Sequence, residues 1–448
     1  MKTRYLHFMT STLSTSVFII SLLLAGCIPV SKATPTTSTL APVATEKPKE
    51  VTLTMGSWRV DDVEQMNVIL AKFHEQHPNI TVRYDTYGTS DVGVYNPMVE
   101  SMLKQGTAPD LFYLTSYGFS RQLYDAGYLE PLDDLAGLKE NFAPAMLAPW
   151  SSEKGATYGV PFIATSHAIY YNQDIFRKYN LKVPETWEEL LQTAAAIKAQ
   201  GLIPFANASG EGWPMAEIVF MNLAPNFIGG IEGRMAYLQG QRCFNDDHMV
   251  AAFQAVKDLG PYLPPNQKLL NYADSLQFFL QGRAAMWLGG SWDIPFFEAQ
   301  KPGFEWSIFA VPPPANQPPF ITFHLDAGMG LNANSSHKEE ARIFLEWMTT
   351  TEFGALLGNE LPGFFPMHKD VPVLNSPHAN TFLTLNEGRG QDVRFTWEKI
   401  DDGAPSAYSL VMNGAIAVVN DQKTPQEAAD DLQDGLAKWY PPAQKCKK

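Results

Sequence analysis

The chain has 448 residues, a formal net charge of -14, 45% hydrophobic residues and 12% aromatic residues. This supply of apolar side chains excludes a disordered or fibrous protein, and because phosphate binding needs Lys and Arg we expect no nucleic-acid partner. Three cysteines are too few for a disulfide scaffold. A chain of this length exceeds the roughly 250 to 300 residues that one core supports, so we expect two lobes.

The N-terminus is typical of an exported lipoprotein. Lys2 and Arg4 precede an apolar segment at 17–24, which is too short to span a bilayer but suits a signal sequence. Leu24-Ala25-Gly26-Cys27 resembles the bacterial lipoprotein signal, in which the cysteine thiol receives the lipid. We predict a signal peptide at 1–26 and a lipid on Cys27 that anchors the protein to the bacterial membrane, on its periplasmic or extracellular face. An ordinary signal peptide with a chance cysteine is the alternative.

Residues 27–50 are predicted to be the lipidated Cys27 followed by a flexible stalk. The stalk has four prolines, five threonines and no aromatic residue. The signal contributes +2 and the stalk +1, so the remaining body carries -17. Cys243 and Cys446 could pair, but Cys446 lies in a charged tail, and we favour two free thiols.

The body begins with alternating strands and helices. Residues 51–55, 80–84 and 110–114 have strand patterns, and residues 63–73 and 91–105 have helical spacing. This order implies parallel pairing in an α/β sheet. Capping boxes predict helix starts at Thr186, Ser336 and Thr424. Further segments are predicted as helices at 212–224, 246–259 and 272–281, strands at 284–288 and 308–311, a Pro-rich loop at 312–319, and a mostly helical C-terminus.

Motifs for catalysis and for metal or nucleotide binding are missing from the sequence. There is no Gly-x-x-x-x-Gly-Lys-[Ser/Thr] loop, no Gly-x-Ser-x-Gly elbow and no His-Glu-x-x-His. His74 and His77 are only three residues apart at a helix end that runs into Pro78, so we expect no metal there. We predict a protein without a cofactor that is not an enzyme.

Several short segments of the body form an ordered set of motifs. The segments are Gln105-Gly-Thr-Ala-Pro-Asp-Leu-Phe-Tyr-Leu114, Leu129-Glu-Pro-Leu-Asp-Asp134, Tyr158-Gly-Val-Pro-Phe162, Tyr170-Tyr-Asn-Gln-Asp-Ile-Phe176, Pro184-Glu-Thr-Trp-Glu-Glu-Leu190, Phe279-Leu-Gln-Gly-Arg-Ala-Ala-Met286, Gly290-Ser-Trp-Asp293, Ala327-Gly-Met-Gly-Leu331, Phe344-Leu-Glu-Trp347 and Thr424-Pro-Gln-Glu-Ala428. Together they resemble the maltose-binding-like extracellular solute-binding protein family 1, the sugar receptors of ABC importers. They occur in the family's order and spacing and cover essentially all of 51–440, although 362–405 matches poorly.

The resemblance implies the type II periplasmic-binding-protein-like fold, in which two α/β lobes close on a ligand in the cleft between them. By motif position the chain is expected to cross between the lobes three times, near 163–167, 289–292 and 348–352. The first lobe is then 51–164 plus 291–348, and the second is 166–289 plus 350–448.

Candidate ligand residues follow from the chemistry of a sugar and from this resemblance. A neutral sugar has apolar faces that stack on aromatic rings and hydroxyls that pair with polar side chains. The resemblance places a stacking Trp at Trp292 and further cleft aromatics at Trp213 and Tyr408. Polar residues and strand ends complete the predicted site: Trp58, Ser116, Tyr117, Thr165, Ser166, His167, Asp293, His324 and Asp326. Trp187, Trp287 and Trp347 are predicted to be core residues.

We therefore predict a lipid-anchored, monomeric receptor that delivers a neutral mono- or oligosaccharide to ABC permease subunits with a separate ATPase. The permease and the ATPase are expected because this chain has neither a nucleotide loop nor spanning helices. Two alternatives stay open. The same fold could bind a polyamine, a glycerol-phosphate ester or a sugar acid, or the chain could be a lipid-anchored glycosidase with two essential carboxylates.

Overall fold

The computed structural model describes residues 49–88, 92–370, 373–395 and 399–446. The predicted signal peptide, Cys27 and the stalk up to residue 48 lie outside the described residues. Within those ranges, none of the helices combines the length and the hydrophobicity that a membrane span requires.

The described residues form nine strands. Neighbouring strands follow the order β2-β1-β3-β8-β4-β6-β5, with β7 paired to β4 and β9 paired to β8. Their bounds are β1 Val51–Ser57, β2 Ile80–Thr86, β3 Leu111–Thr115, β4 Val160–Asn172, β5 Ile203–Phe205, β6 Ala284–Gly290, β7 Trp306–Phe309, β8 Phe320–Leu331 and β9 Gly390–Asp392.

The first three strands confirm the predicted parallel pairing. β1 pairs in parallel with β2 along its full length, and it pairs in parallel with β3 on its other side. All five residues of β3 are buried, as expected for a strand whose two faces are both covered. β1, β2, β3 and the end of β8 are called the first sheet region below.

Two long strands connect this region to the rest of the sheet. The first part of β4, residues 160–166, pairs antiparallel with β8, and its last part pairs antiparallel with β6 and β7. β8 in turn pairs with β3 at residues 327–331 and with β9 at residues 320–322. We call β5, β6, β7, β9 and the parts of β4 and β8 that pair with them the second sheet region.

The pairing of β7 bears on the predicted lobe division, which stays a prediction. Residues 291–348 were assigned to the first lobe, but residues 306–309 pair with Ile169–Asn172 in the second sheet region. The reason is that the chain turns back after β6, since Phe297 packs edge-on against Tyr170 with ring centroids 4.8 Å apart. The chain then passes to the first sheet region along β8.

Helices cover both sheet regions. They are α1 Val63–Gln76, α2 Val92–Gln105, α3 Gly118–Asp125, α4 Leu138–Asn141, α5 Pro144–Leu147, α6 Gln173–Lys178, α7 Trp187–Ala199, α8 Met221–Ile228, α9 Gly230–Leu238, α10 Asp247–Leu259, α11 Tyr272–Leu280, α12 Ile294–Gln300, α13 Lys338–Met348, α14 Thr351–Glu360, α15 Pro377–Asn386, α16 Ala407–Val419, α17 Pro425–Leu436 and α18 Pro441–Lys445. A π-helix at Pro214–Phe220 leads into α8, and short 3₁₀ helices lie at Ala148–Trp150, Gly260–Tyr262, Gln267–Leu269, Ser291–Asp293 and Lys399–Asp401.

Helix starts agree with the capping patterns in two of the three predicted places. Thr424 and Glu427 form a full capping box on α17, with Pro425 in the first turn. Thr186 caps α7 by accepting a hydrogen bond from the Glu189 N–H. The start predicted at Ser336 is wrong, because α13 begins at Lys338. The His337 N–H donates to the hydroxyl of Ser335, not to that of Ser336.

The two described cysteines are joined, so the preference for free thiols is wrong. Cys243 and Cys446 form a disulfide with Cα atoms 5.1 Å apart. Their proximity has a clear physical cause, since the Tyr440 hydroxyl donates to the Leu238 carbonyl at 2.7 Å. This contact brings the C-terminal segment onto α9, so the charged tail does not keep Cys446 away from Cys243.

Candidate functional site

The predicted pair Trp292 and Asp293 lies in a short helical turn directly after β6. Asp293 is only 3% exposed. One of its carboxylate oxygens accepts the Tyr272 hydroxyl, and the other accepts the Trp287 indole N–H at 3.2 Å. The Trp292 indole N–H donates to the Tyr272 hydroxyl at 3.0 Å. Tyr272 therefore links the two predicted residues.

The carboxyl group of Asp293 has a raised pKa. Burial raises its pKa to about 6, although the hydrogen bonds from Tyr272 and Trp287 oppose the rise. A buried carboxylate with several donors is a strong acceptor that is held in a fixed position.

Aromatic rings surround this carboxylate. The rings of Trp213 and Tyr272 have centroids 4.7 Å apart, and those of Tyr272 and Trp287 are 5.7 Å apart. Trp213, Trp292 and Tyr272 keep part of their surface accessible, whereas Trp287 is buried. The predicted residues Trp213 and Trp292 thus lie around one shared partner.

A second group of charges meets next to Trp292. The Arg394 guanidinium is 2.7 Å from the Glu217 carboxylate and 3.9 Å from the Asp326 carboxylate. Its Cζ lies 5.3 Å from the centroid of the Trp292 ring. Arg394 thus joins the second sheet region to Asp326 on β8 and contacts the predicted stacking residue.

Two buried histidines complete this group and are held neutral. Burial, followed by the nearby charge of Arg394, lowers the pKa of His324 to about 4 and that of His167 well below its usual range. His324 lies 3.3 Å from Asp326. Burial would raise the pKa of Asp326, but His324 and Arg394 outweigh it and lower the value. Asp326 is therefore the ionised partner.

Tyr408 contacts this cluster, and Tyr117 lies at the start of α3. The Tyr408 hydroxyl donates to Glu217 at 2.9 Å. Tyr117 precedes α3 with a left-handed φ of 59°. One turn further along α3, Arg121 pairs with Asp402 at 3.0 Å. This ion pair connects a helix of the first sheet region to the segment that leads into α16.

The first strand contributes differently from what its sequence suggested. Trp58 is 5% exposed, and its ring packs edge-on against Tyr95 and Tyr113. The next residue, Arg59, pairs with Asp62 at 2.5 Å, and this pairing raises its pKa although burial opposes the rise. The structure thus places Trp58 among core aromatics, and its contact with a ligand stays a prediction.

Four further predicted residues lie buried where the two sheet regions meet. The Ser116 hydroxyl donates to the Leu325 carbonyl, and the Ser166 N–H donates to the Ser291 hydroxyl at 3.0 Å. Thr165 Oγ1 and His167 Nδ1 are buried and have no hydrogen-bond partner among the described residues. The two serines hold strands together, whereas Thr165 and His167 keep polar atoms that a ligand could use.

Three residues that contact the predicted site residues were themselves not predicted. Glu217 lies within an otherwise apolar stretch, Pro214–Phe220, and a lone acidic residue in such a stretch was a usable signal. Tyr272 follows the capping residue of α11 and has the appearance of an ordinary helix start. Arg394 lies in the poorly matching region 362–405, where the sequence offered no signal.

Other sites are less developed. Within the described ranges, no group of three or more His, Cys, Asp or Glu side chains is placed to hold a metal ion. A surface depression of about 360 Å³ lies at α6, between Tyr171 and Val183, and its lining includes none of the candidate-site residues. Trp187, Trp287 and Trp347 are 1 to 5% exposed, which confirms their prediction as core residues.

Comparison with known families is consistent with this geometry. The sequence pattern of the family described as "Bacterial extracellular solute-binding protein" matches residues 58–355. An uncharacterized ABC transporter extracellular-binding protein of Pyrococcus horikoshii is 23% identical, with 96% of each chain covered. The multiple sugar-binding protein of Streptococcus mutans is 27% identical over 68% of this chain and 72% of its own.

A solved structure extends the likeness to the fold. The SBP RafE in complex with raffinose superposes with a TM-score of 0.71 at 22% identity, covering 88% of this chain and 100% of the other. At this identity the likeness concerns the fold. The predicted two-lobe fold is confirmed.

Proposed function

The chain belongs to the family of bacterial extracellular solute-binding proteins, and we propose that it captures a neutral sugar or oligosaccharide for an ABC importer. The proposal includes no catalytic step, in keeping with a family of binding proteins. The ligand is held between the two lobes and is passed to permease subunits that work with a separate ATPase.

One observation carries the proposal. Two partly exposed aromatic rings, Trp213 and Trp292, lie next to Tyr272, whose hydroxyl donates to the Asp293 carboxylate. Arg394 links the Trp292 ring to the Asp326 carboxylate. A sugar presents apolar faces and hydroxyl donors, so stacking rings next to acceptors match both parts of it. The names of two similar proteins, a multiple sugar-binding protein and a protein in complex with raffinose, support the same ligand class.

The charges of the cluster favour a neutral ligand. Arg59 is paired with Asp62, and Arg394 is paired with Glu217, so neither cation is left to neutralise a phosphate or a carboxylate of a ligand. Asp293 and Asp326 add further negative charge. A sugar acid or a glycerol-phosphate ester would meet repulsion in this cluster.

We place the lobe boundaries by strand pairing. The first lobe is 51–163 plus 326–366, and the second is 167–322 plus 374–446. β4 passes between them near 164–166 and β8 near 323–325. The third passage follows Phe365, which bridges to Ala164, and precedes α15, which packs on β7. Closure then requires changes in backbone dihedral angles at these three places only.

The anchor and the compartment complete the proposal. We propose that Cys27 is lipidated and that the stalk lets a monomeric body move above the membrane. Support for an exported location comes from the Cys243–Cys446 disulfide, because disulfides persist in oxidising compartments.

A thermal-shift panel tests the ligand class. Neutral mono- and oligosaccharides, raffinose among them, are compared with spermidine, glycerol 3-phosphate and galacturonate. We expect at least one neutral sugar to raise the melting temperature, since a ligand at 100 times its dissociation constant adds about 2.7 kcal/mol of stability. Stabilisation by spermidine alone, or by an anion alone, would refute the sugar assignment. Turnover of an aryl glycoside would establish the glycosidase alternative.

A further inference from the structure

We propose that Tyr272 is the positioning residue of the candidate site, holding the Trp292 ring and the Asp293 carboxylate in a fixed relation through its one hydroxyl. The significance of this role rests on the proposed function, because it concerns the residues that we expect to contact the sugar. Tyr272 was not among the predicted site residues, although three of those residues lie around it.

The direction of each hydrogen bond follows from the donors available. The indole N–H of Trp292 can only donate, so the Tyr272 oxygen accepts it at 3.0 Å. The Tyr272 proton is then free to point to Asp293, whose carboxylate accepts it. The hydroxyl therefore uses both its acceptor and its donor capacity, and a rotation of either neighbour breaks a bond.

The Tyr272 ring and backbone are themselves fixed. Asn271 and Asp274 form a capping box that sets the first turn of α11, with Tyr272 as its first residue. The Tyr272 N–H donates to a Glu211 carboxylate oxygen at 3.1 Å. The ring is packed between Trp213 and Trp287. Since both the backbone and the ring of Tyr272 have partners that hold them in place, its hydroxyl can define the position of Trp292.

The chain offers a closely matched control. The Tyr237 hydroxyl accepts from Arg242 at 2.8 Å and donates to Asp246 at 2.6 Å. Like the Tyr272 hydroxyl, it accepts one hydrogen bond from a nitrogen and donates one to a carboxylate. Tyr237 lies on α9, outside the candidate site. Tyr272→Phe and Tyr237→Phe each remove a single oxygen atom and keep the ring.

Two spectroscopic measurements on the full protein test the proposal without a ligand. The first is the ¹H–¹⁵N signal of the Trp292 indole, assigned by its loss in Trp292→Phe. The second is the titration of the Asp293 carboxyl carbon. In Tyr272→Phe we expect the indole signal to shift and its exchange with water to accelerate. We expect the Asp293 midpoint to rise by about one pH unit, because a donor to the charged form is lost.

The control separates positioning from general stability. We expect Tyr237→Phe to lower the melting temperature while leaving both signals as in the wild type. If Tyr272→Phe leaves the Trp292 signal and the Asp293 midpoint unchanged, or if Tyr237→Phe moves them equally, the proposal is wrong. Neither result depends on a sugar, so the proposed function is judged separately by the thermal-shift panel.

Discussion

At the scale of single residues, the candidate site consists of charges that are compensated inside the protein. Arg394 lies between two carboxylates, and the histidines beside it are kept neutral by burial and by its charge. Such a site presents acceptors and aromatic faces, and its described cations Arg394 and Arg59 are both paired with carboxylates. This combination suits hydroxyl-rich neutral ligands and disfavours anions.

Trp292 is expected to contribute most to sugar affinity. Truncating a stacking Trp in a binding site typically costs about 2 kcal/mol or more, which corresponds to roughly a 30-fold loss of affinity. We expect Trp292→Ala to weaken binding of the sugar found in the thermal-shift panel by this factor, as measured by calorimetric titration. Tyr179→Ala, which removes a half-buried aromatic ring outside the cluster, is expected to bind normally. Unchanged affinity in Trp292→Ala would remove this residue from the site.

His324 is expected to make the protein sensitive to acid. Its pKa is about 4 in the folded state, below the unfolded value of 6.5. As the pH falls from 6.5 to 4 the unfolded chain takes up a proton that the folded chain does not, so stability is lost in that window. At about 1.4 kcal/mol per pH unit the loss is roughly 3 kcal/mol.

Comparison of His324→Gln with the wild type isolates this effect. Asp293 acts in the opposite sense, because its raised pKa favours the folded state as the pH falls through about 6. Urea unfolding is measured over this pH range for both proteins. Because both contain Asp293, subtracting one stability profile from the other removes the Asp293 contribution. We expect the difference in unfolding free energy between the wild type and His324→Gln to narrow as the pH falls towards 4. The control His248→Gln, at an exposed position, is expected to follow the wild-type profile. A constant gap would contradict the expectation.

The residues of the site were predictable only in part. Trp292, Asp293 and Trp213 follow strands or lie in polar loops, and these are positions where sequence favours ligand contact. Tyr272 and Arg394 reach the cluster from segments that are distant along the chain. Their roles arise from tertiary packing, which leaves no local pattern in the sequence.

At the scale of elements, β4 and β8 are the long strands that run through both sheet regions. Each changes its pairing partner along its length, β4 from β8 to β6 and β7, and β8 from β9 to β3. Alternation of apolar residues predicted the short parallel strands well, because each keeps the same neighbours throughout. It could not indicate where a long strand passes from one region to the next, which is why our proposed second crossing on β8 differs from the one that the sequence predicts near 289–292.

The disulfide is expected to stabilise the C-terminal helices. Cys243 and Cys446 are 203 residues apart in sequence, and a link of this kind typically contributes about 2 to 4 kcal/mol by restricting the unfolded chain. We expect the Cys243→Ser/Cys446→Ser double variant to lose stability in that range in guanidinium unfolding. A reducing agent should destabilise the wild type and leave the double variant unchanged. Equal stability of both proteins would show that the link is dispensable.

At the scale of the whole molecule, Arg121 and Asp402 are placed to help hold the lobes together. Their side chains are 21% and 29% exposed and 3.0 Å apart. One belongs to a helix next to β3 and the other to the segment before α16. A partly exposed pair of this kind is worth up to about 1 kcal/mol. In the proposed division these residues belong to different lobes, so we expect this energy to favour the closed form and therefore the bound state.

Arg121→Ala is accordingly expected to weaken sugar binding about two- to fivefold, with a smaller effect at high salt. Arg342→Ala serves as the control, since Arg342, which is 25% exposed, pairs at 2.7 Å with Asp134, which is 80% exposed. Both of those residues belong to the proposed first lobe. Equal affinities for the two variants, measured by titration at low and high salt, would exclude a role for the Arg121–Asp402 pair in closure.

The most direct test of sugar capture between two lobes is hydrogen–deuterium exchange with and without the sugar found in the thermal-shift panel. We expect binding to slow exchange at the same time in segments of both proposed lobes, around Thr115–Tyr117 in the first and Gly290–Asp293 in the second. The connecting strand β8 near His324 is expected to be protected with them. Protection confined to one lobe, or none at all despite a raised melting temperature, would contradict binding by closure.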